Sequence, residues 1–133
     1  MTNKEKVQQG FDLINQRSFD GLDQIIGPNY VNHDMPAPTP GPEGLKAVLG
    51  AFIQGFPDMK IVLEDKIAEG DLVCTRGYFT GTHKGEFMGI PATNKSVKVN
   101  FIDVWRFEGG LAVENWVRMD NVGMMQQLGL MPG

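Results

Sequence analysis

The sequence predicts an α+β fold in which helices come first and a sheet follows. Two observations predict it. Up to Gly55 the apolar residues recur at helical spacing, and from Met59 onward they fall in β-rich runs separated by glycine-containing turns. No strand alternates with a helix in the manner of a βαβ unit, so the second half reads as an antiparallel meander.

Each element has its own signal. Thr2 or Asn3 can cap a first helix, with Val7, Phe11, Leu13 and Ile14 as its apolar stripe. Ser18 is placed to cap a short second helix carrying Phe19, Leu22, Ile25 and Ile26, which Gly27-Pro28 ends. Residues 30–34 read as a short extended piece. Pro36, Pro38, Pro40 and Pro42 follow; proline denies a segment ladder hydrogen bonds, so this is a loop. Pro42 then suits the first turn of a helix carrying Leu45, Val48, Leu49, Phe52 and Ile53 and closed by Gly55. Strands are expected at 59–68, 72–79, 96–107 and 112–120. Asn121 can cap a short last helix over 122–128.

The chain of 133 residues suits one domain, 1–133, and its 41% hydrophobic and 21% charged residues are ordinary globular usage. The net charge of -4 and the scattered lysines argue against a nucleic-acid partner, which needs a clustered basic face. The single cysteine, Cys74, permits no internal disulfide and sits in an apolar run, as a buried structural thiol does. No long apolar segment predicts a membrane span, and the polar N-terminus has no signal-peptide pattern, so a cytoplasmic location is the default expectation.

The most informative segment is the last hairpin. Gly109-Gly110 between two apolar runs fits a two-residue turn, whose central residues need positive φ. In an unbroken register Glu108 faces Leu111, Glu114 faces Trp105, Trp116 faces Asp103, Arg118 faces Phe101 and Asp120 faces Val99. Opposed residues share a face. One face then carries Val99, Phe101, Asp103, Trp105, Trp116, Arg118 and Asp120. That mixture of aromatics and ionisable groups is expensive for a core and suits a ligand pocket with apolar walls and a few polar groups. The other face, including Ile102, Val104, Val113, Asn115, Val117 and Met119, is largely apolar. If no helix covers it, it should pair with a second subunit.

Candidate chemistry stands beside plainer readings. Asp120, in an apolar pocket, would have its charged form disfavoured and become a general acid/base. It could equally cap the last helix or pair with Arg118. His33 and His83, the two histidines, could orient a carbonyl or a water, or could simply lie at strand ends. Asp103 and Glu114 could support a pocket or be satisfied beside Arg118 or Arg106. No histidine, cysteine and carboxylate cluster has metal-ligand spacing, and no phosphate loop, Ser/His/Asp set or dinucleotide fingerprint is present.

The stretches Asp103-Val104-Trp105-Arg106-Phe107-Glu108-Gly109-Gly110, Glu114-Asn115-Trp116, Asp120 and Met125-Gln126-Gln127-Leu128-Gly129 resemble the C-terminal signature of the SnoaL-like polyketide cyclases of the NTF2-like superfamily. Upstream, Asn32-His33-Asp34, Phe56-Pro57-Asp58, Gly81-Thr82-His83 and the run 87–93 match in the same order. The resemblance covers nearly the whole chain. It implies the NTF2-like cone, a strongly curved antiparallel sheet with N-terminal helices packed over an apolar pocket, assembled as a homodimer. It also implies a cofactor-independent and metal-free intramolecular aldol ring closure of a small, apolar, carbonyl-containing ligand. The family's acid/base aspartate matches Asp120; His33 and His83 would polarise or orient oxygens, with Phe87, Phe101, Asp103, Trp105, Trp116 and Arg118 contacting the substrate. The cone also hosts isomerases, hydratase-type enzymes and plain binders. A non-catalytic small-molecule binder and an association module using the outer sheet face are therefore the competing readings.

Overall fold

The structure is a computed structural model covering residues 1–133. Helix α1, Asn3–Asn15, starts at a capping box: the Thr2 hydroxyl accepts from the Glu5 N–H at 3.1 Å, and the Glu5 carboxylate accepts from the Thr2 N–H at 2.9 Å. Its buried stripe is Val7, Phe11 and Ile14. The expected second helix is a 3-10 turn, Phe19–Gln24, and Ser18 makes no side-chain cap bond to it. The chain then enters strand β1, Ile26–Asn32, straight through the Gly27-Pro28 pair that reads as a stop signal. Pro28 is tolerated because β1 lies at the sheet edge, where a missing N–H breaks no ladder. Helix α2, Gly41–Gly55, has Pro42 in its first turn and buries Leu45 and Leu49.

Four long strands and a short helix complete the chain: β2 Lys60–Glu69, β3 Leu72–Thr82, β4 Ser96–Glu108, β5 Leu111–Met119 and α3 Asn121–Gln127. The sheet order is β1-β5-β4-β3-β2. β2 to β5 form the antiparallel meander, and β1 adds parallel to β5. α1 and α2 close over the concave face, where Phe11, Ile14, Leu45 and Leu49 meet Phe79, Phe101 and Trp105.

Two β-bulges bend the antiparallel meander. One lies in β2 between Leu63 and Asp65. Opposite it, a Cβ on Gly77 would collide with the Val62 carbonyl, so glycine admits the close strand approach that the bend needs. The second lies in the last hairpin. The turn itself is as predicted: Glu108 faces Leu111, and Gly109 and Gly110 have φ of 59° and 83°. The unbroken register beyond it is not. Phe107 pairs with Ala112 but Arg106 pairs with Glu114, so Val113 is an extra residue in β5.

That one residue reverses every side chain of β5 from Glu114 onward relative to the unbroken register. Trp105 faces Asn115, Asp103 faces Val117 and Phe101 faces Met119. Trp116 and Arg118 instead share the convex face with Val104 and Ile102. The predicted β4 faces stand; the predicted β5 faces are exchanged. The convex face carries a row of Ile67, Cys74, Val104 and Trp116 across four strands. Cys74 is thus only half-buried there, and not the core thiol the sequence suggests.

Candidate functional site

The concave face holds a cavity of about 90 Å³ between α1, α2 and the middle of the sheet. Of its 17 lining residues 14 are hydrophobic, and the polar three are Asn32, Asp103 and Asn115. The apolar wall follows from strand alternation: Phe79 on β3 and Phe101 and Trp105 on β4 all point inward, and Phe11 stacks on Phe101 with centroids 6.0 Å apart.

Asp103 sits in the middle of this wall with 4% of its surface exposed. The same alternation that points Phe101 and Trp105 inward points it inward too. Its carboxyl accepts a hydrogen bond from the Thr75 hydroxyl of β3. Burial pushes the carboxyl up to about 7, because a charge in an apolar cavity loses its water; Thr75, Trp105 and Asn115 oppose the shift and do not cancel it. Near neutral pH the group is therefore divided between acid and base, the condition a proton-transfer catalyst needs.

A small polar network supports it. The Tyr30 hydroxyl donates to Asn115 Oδ1 at 3.3 Å, Asn32 Nδ2 donates to the same oxygen at 3.1 Å, and Asn115 Nδ2 donates to the Val104 carbonyl at 3.0 Å. Asn32 Oδ1 in turn accepts from the Asp34 and Met35 N–H groups, which fixes the start of the proline-rich loop. Tyr30 stacks on Trp105 with centroids 6.0 Å apart, and burial raises the phenol far above its ordinary range, so it stays a neutral donor.

Three of the residues singled out from sequence, Phe101, Asp103 and Trp105, meet in the cavity. The others do not. Asp120 is exposed and caps α3, its carboxylate accepting from the Gly123 N–H at 2.8 Å; Asn121 is not the cap. Arg118 points outward and pairs with Asp34 at 2.5 Å, not with Asp120. Trp116 lies on the convex face, stacked on His33 at 5.0 Å, and His33 is 3.6 Å from the Glu114 carboxylate. Glu114 also takes a 2.9 Å ion pair from Arg106, which holds its carboxyl below the usual range. His83 is fully buried, but against Phe56, with Nδ1 3.0 Å from the Thr93 hydroxyl and no place in the cavity lining. Phe87 packs on Phe52 and Phe56 behind α2. The bulge moved Trp116 and Arg118, His33 lies with Trp116, and the packing of the 83–95 loop against the end of α2 enclosed His83 and Phe87.

Sequence reasoning passed over Thr75, Tyr30, Asn32 and Asn115 as site residues. A signal for Asn115 was present. In β5 the apolar Val117 and Met119 alternate with the charged Arg118 and Asp120, which sets the charged pair outside and Asn115 inside.

This is the architecture of a small-molecule pocket protein: a curved sheet closed by helices, with one ionisable group at the floor of an apolar cavity. The chain belongs to the SnoaL-like polyketide cyclase family, whose profile matches residues 5–128, within the NTF2-like fold. IdmH from Streptomyces antibioticus, a candidate polyketide cyclase, is 32% identical, with 97% of this chain and 99% of that one aligned and a TM-score of 0.83. TsrD from Streptomyces laurentii is 30% identical over 96% of this chain and 97% of that one, with a TM-score of 0.86. AclR from Streptomyces galilaeus, a candidate hydroxylase, shares the fold at 24% identity over 98% of this chain and 87% of that one, TM-score 0.84. No curated protein matches the chain.

Proposed function

We propose that the chain is an acid/base enzyme that uses Asp103 to move a proton on a compact, apolar, carbonyl-rich substrate, in an intramolecular aldol ring closure of the kind its family resemblance implies. The observation that carries this is the Asp103 carboxyl, alone among ionisable groups in the cavity lining and raised to about 7 by burial. The carboxylate takes a proton from carbon flanked by carbonyls. The enolate formed attacks a second carbonyl of the same molecule, making the carbon–carbon bond. The new alkoxide then recovers the proton from Asp103. The apolar walls hold the two ends together, which replaces a chance encounter by a fixed one.

Cavity volume favours a second reading within the same chemistry. About 90 Å³ is less than the roughly 150 Å³ that admits benzene, and multi-ring products are larger still. A compact substrate that only shifts a proton, as an isomerase moves it between two carbons, fits this closed form. A larger substrate requires the Met35 side chain and the proline-rich loop to give way.

The test is deuterium wash-in next to the carbonyl of a panel of small ketones and keto esters, followed by NMR in D2O. The wild type should accelerate exchange for at least one compound, and Asp103→Asn should lower that acceleration by about 10²-fold or more. Saturable binding with no acceleration anywhere in the panel would leave a binding protein.

A further inference from the structure

Two buried side-chain nitrogens lack any hydrogen-bond partner, and one of them, Trp105 Nε1, belongs to a residue of the cavity wall. A buried donor left unpaired is costly, commonly about 1–3 kcal/mol, and in most native sites such a donor has a partner. The other orphan, His83 Nε2, lies outside this lining. The indole N–H is near enough to Asp103 to pull on its carboxyl, yet closes no hydrogen bond to it. The ring is held between neighbours: Tyr30 stacks on it at 16° and Phe11 meets it edge-on at 89°, each with centroids 6.0 Å away. The amides of Asn32 and Asn115 are committed to one another, to the loop and to the Val104 carbonyl.

We propose that the Trp105 indole N–H is the donor for a ligand carbonyl oxygen, and for the enolate oxygen that forms there. The identity of that ligand rests on the proton-transfer reading of Asp103. When the carboxylate takes the proton, the carbon–hydrogen bond breaks, an O–H bond forms on Asp103, and the electron pair moves to the carbonyl oxygen. Asp103 becomes neutral and the ligand becomes the anion. In a cavity with apolar walls that anion needs a fixed donor, and a pre-aimed N–H that costs no reorganisation is the group that stabilises it best. Trp105 is then a specificity residue as well, since a hydrocarbon of the same shape leaves its N–H unpaired.

Cyclopentane-1,3-dione at pH 6, where it is an enolate and Asp103 is mostly protonated, is the probe. In 15N–1H spectra the Trp105 indole signal should move downfield on titration, while the signal of Trp116, on the convex face, stays in place. Trp105→Phe keeps the aromatic packing and loses the donor; it should bind the diketone about tenfold or more weakly and bind cyclopentane as the wild type does. A Trp105 signal that stays in place up to the solubility limit of the diketone overturns the assignment, and this arm needs no variant to fold. Equal weakening of both probes by Trp105→Phe overturns it too, since packing alone would explain that. Asp103→Asn separates the two ideas. If it leaves exchange chemistry unchanged while the Trp105 signal still responds, the acid/base reading fails and the donor assignment stands.

Discussion

Trp105 lies directly across the β4–β5 ladder from Asn115, and both line the cavity. An unbroken hairpin would have put Glu114 in that place. The single extra residue at Val113 thus decides that the floor of the pocket carries one carboxyl, Asp103, set among amides and rings, and that Glu114, Arg118 and Asp120 work elsewhere.

Asp103 makes stability fall as pH rises. Its folded value is about 7 and its unfolded value is near 3.8, so between these the folded chain holds a proton that the unfolded chain has lost. Stability contributed by the neutral form is fully present below pH 4 and is lost progressively up to pH 7, by at most about 4 kcal/mol. Asp103→Asn removes the titration. Thermal melts should show the variant gaining on the wild type from pH 5 to pH 8, and a constant difference across that range would refute the raised carboxyl.

Asp120 should matter to the helix and not to the pocket. Asp120→Ala loses the cap on α3 and should cost about 1 kcal/mol in chemical denaturation, while Asp120→Asn, an equally good cap, should be near neutral. In the exchange assay Asp103→Asn should be far more damaging than Asp120→Asn. The reverse order would return the acid/base role to Asp120.

Asn115 holds the buried network. Asn115→Ala strips the acceptor from the Tyr30 hydroxyl, which is 3% exposed, and should cost about 1–3 kcal/mol in urea denaturation. Because much of that cost is the stranded hydroxyl, adding Tyr30→Phe to Asn115→Ala should cost clearly less than the two single changes sum to. Strict additivity would show that the two side chains do not interact.

The convex face is predicted to pair two copies of the chain. Ile67, in the row with Cys74, Val104 and Trp116, is 67% exposed there, and Ile102, between Arg76 and Arg118, is 50% exposed; apolar surface left in water is costly. An isologous contact brings each patch against its own copy. Light scattering at micromolar concentration should give a dimer mass, and Ile102→Glu, an exposed site that the fold tolerates, should give a monomer. A monomeric wild type would remove this proposal.

The sequence by itself determined most of the elements, because local signals decide them; the 3-10 turn at Phe19–Gln24 and the start of β1 at Ile26 are the exceptions. Apolar spacing places α1 and α2, the Gly109-Gly110 turn places the hairpin, and the alternation Val99, Phe101, Asp103, Trp105 points those four residues inward in both the reading and the structure. With them came Asp103, the residue on which the proposed chemistry rests. The register of β5 was decided only by the tertiary structure. The two strands of the hairpin carry alternation patterns that disagree by one residue, and a bulge at Val113 lets both bury their apolar sides at once. Read one strand at a time, either pattern is satisfied without it. Tyr30, Asn32 and Thr75 came from yet further away, since β1 joins the sheet beside β5, and Thr75 meets Asp103 across β3 and β4. Burial raised Asp103, and burial is a property of everything packed around a side chain, which no local pattern contains.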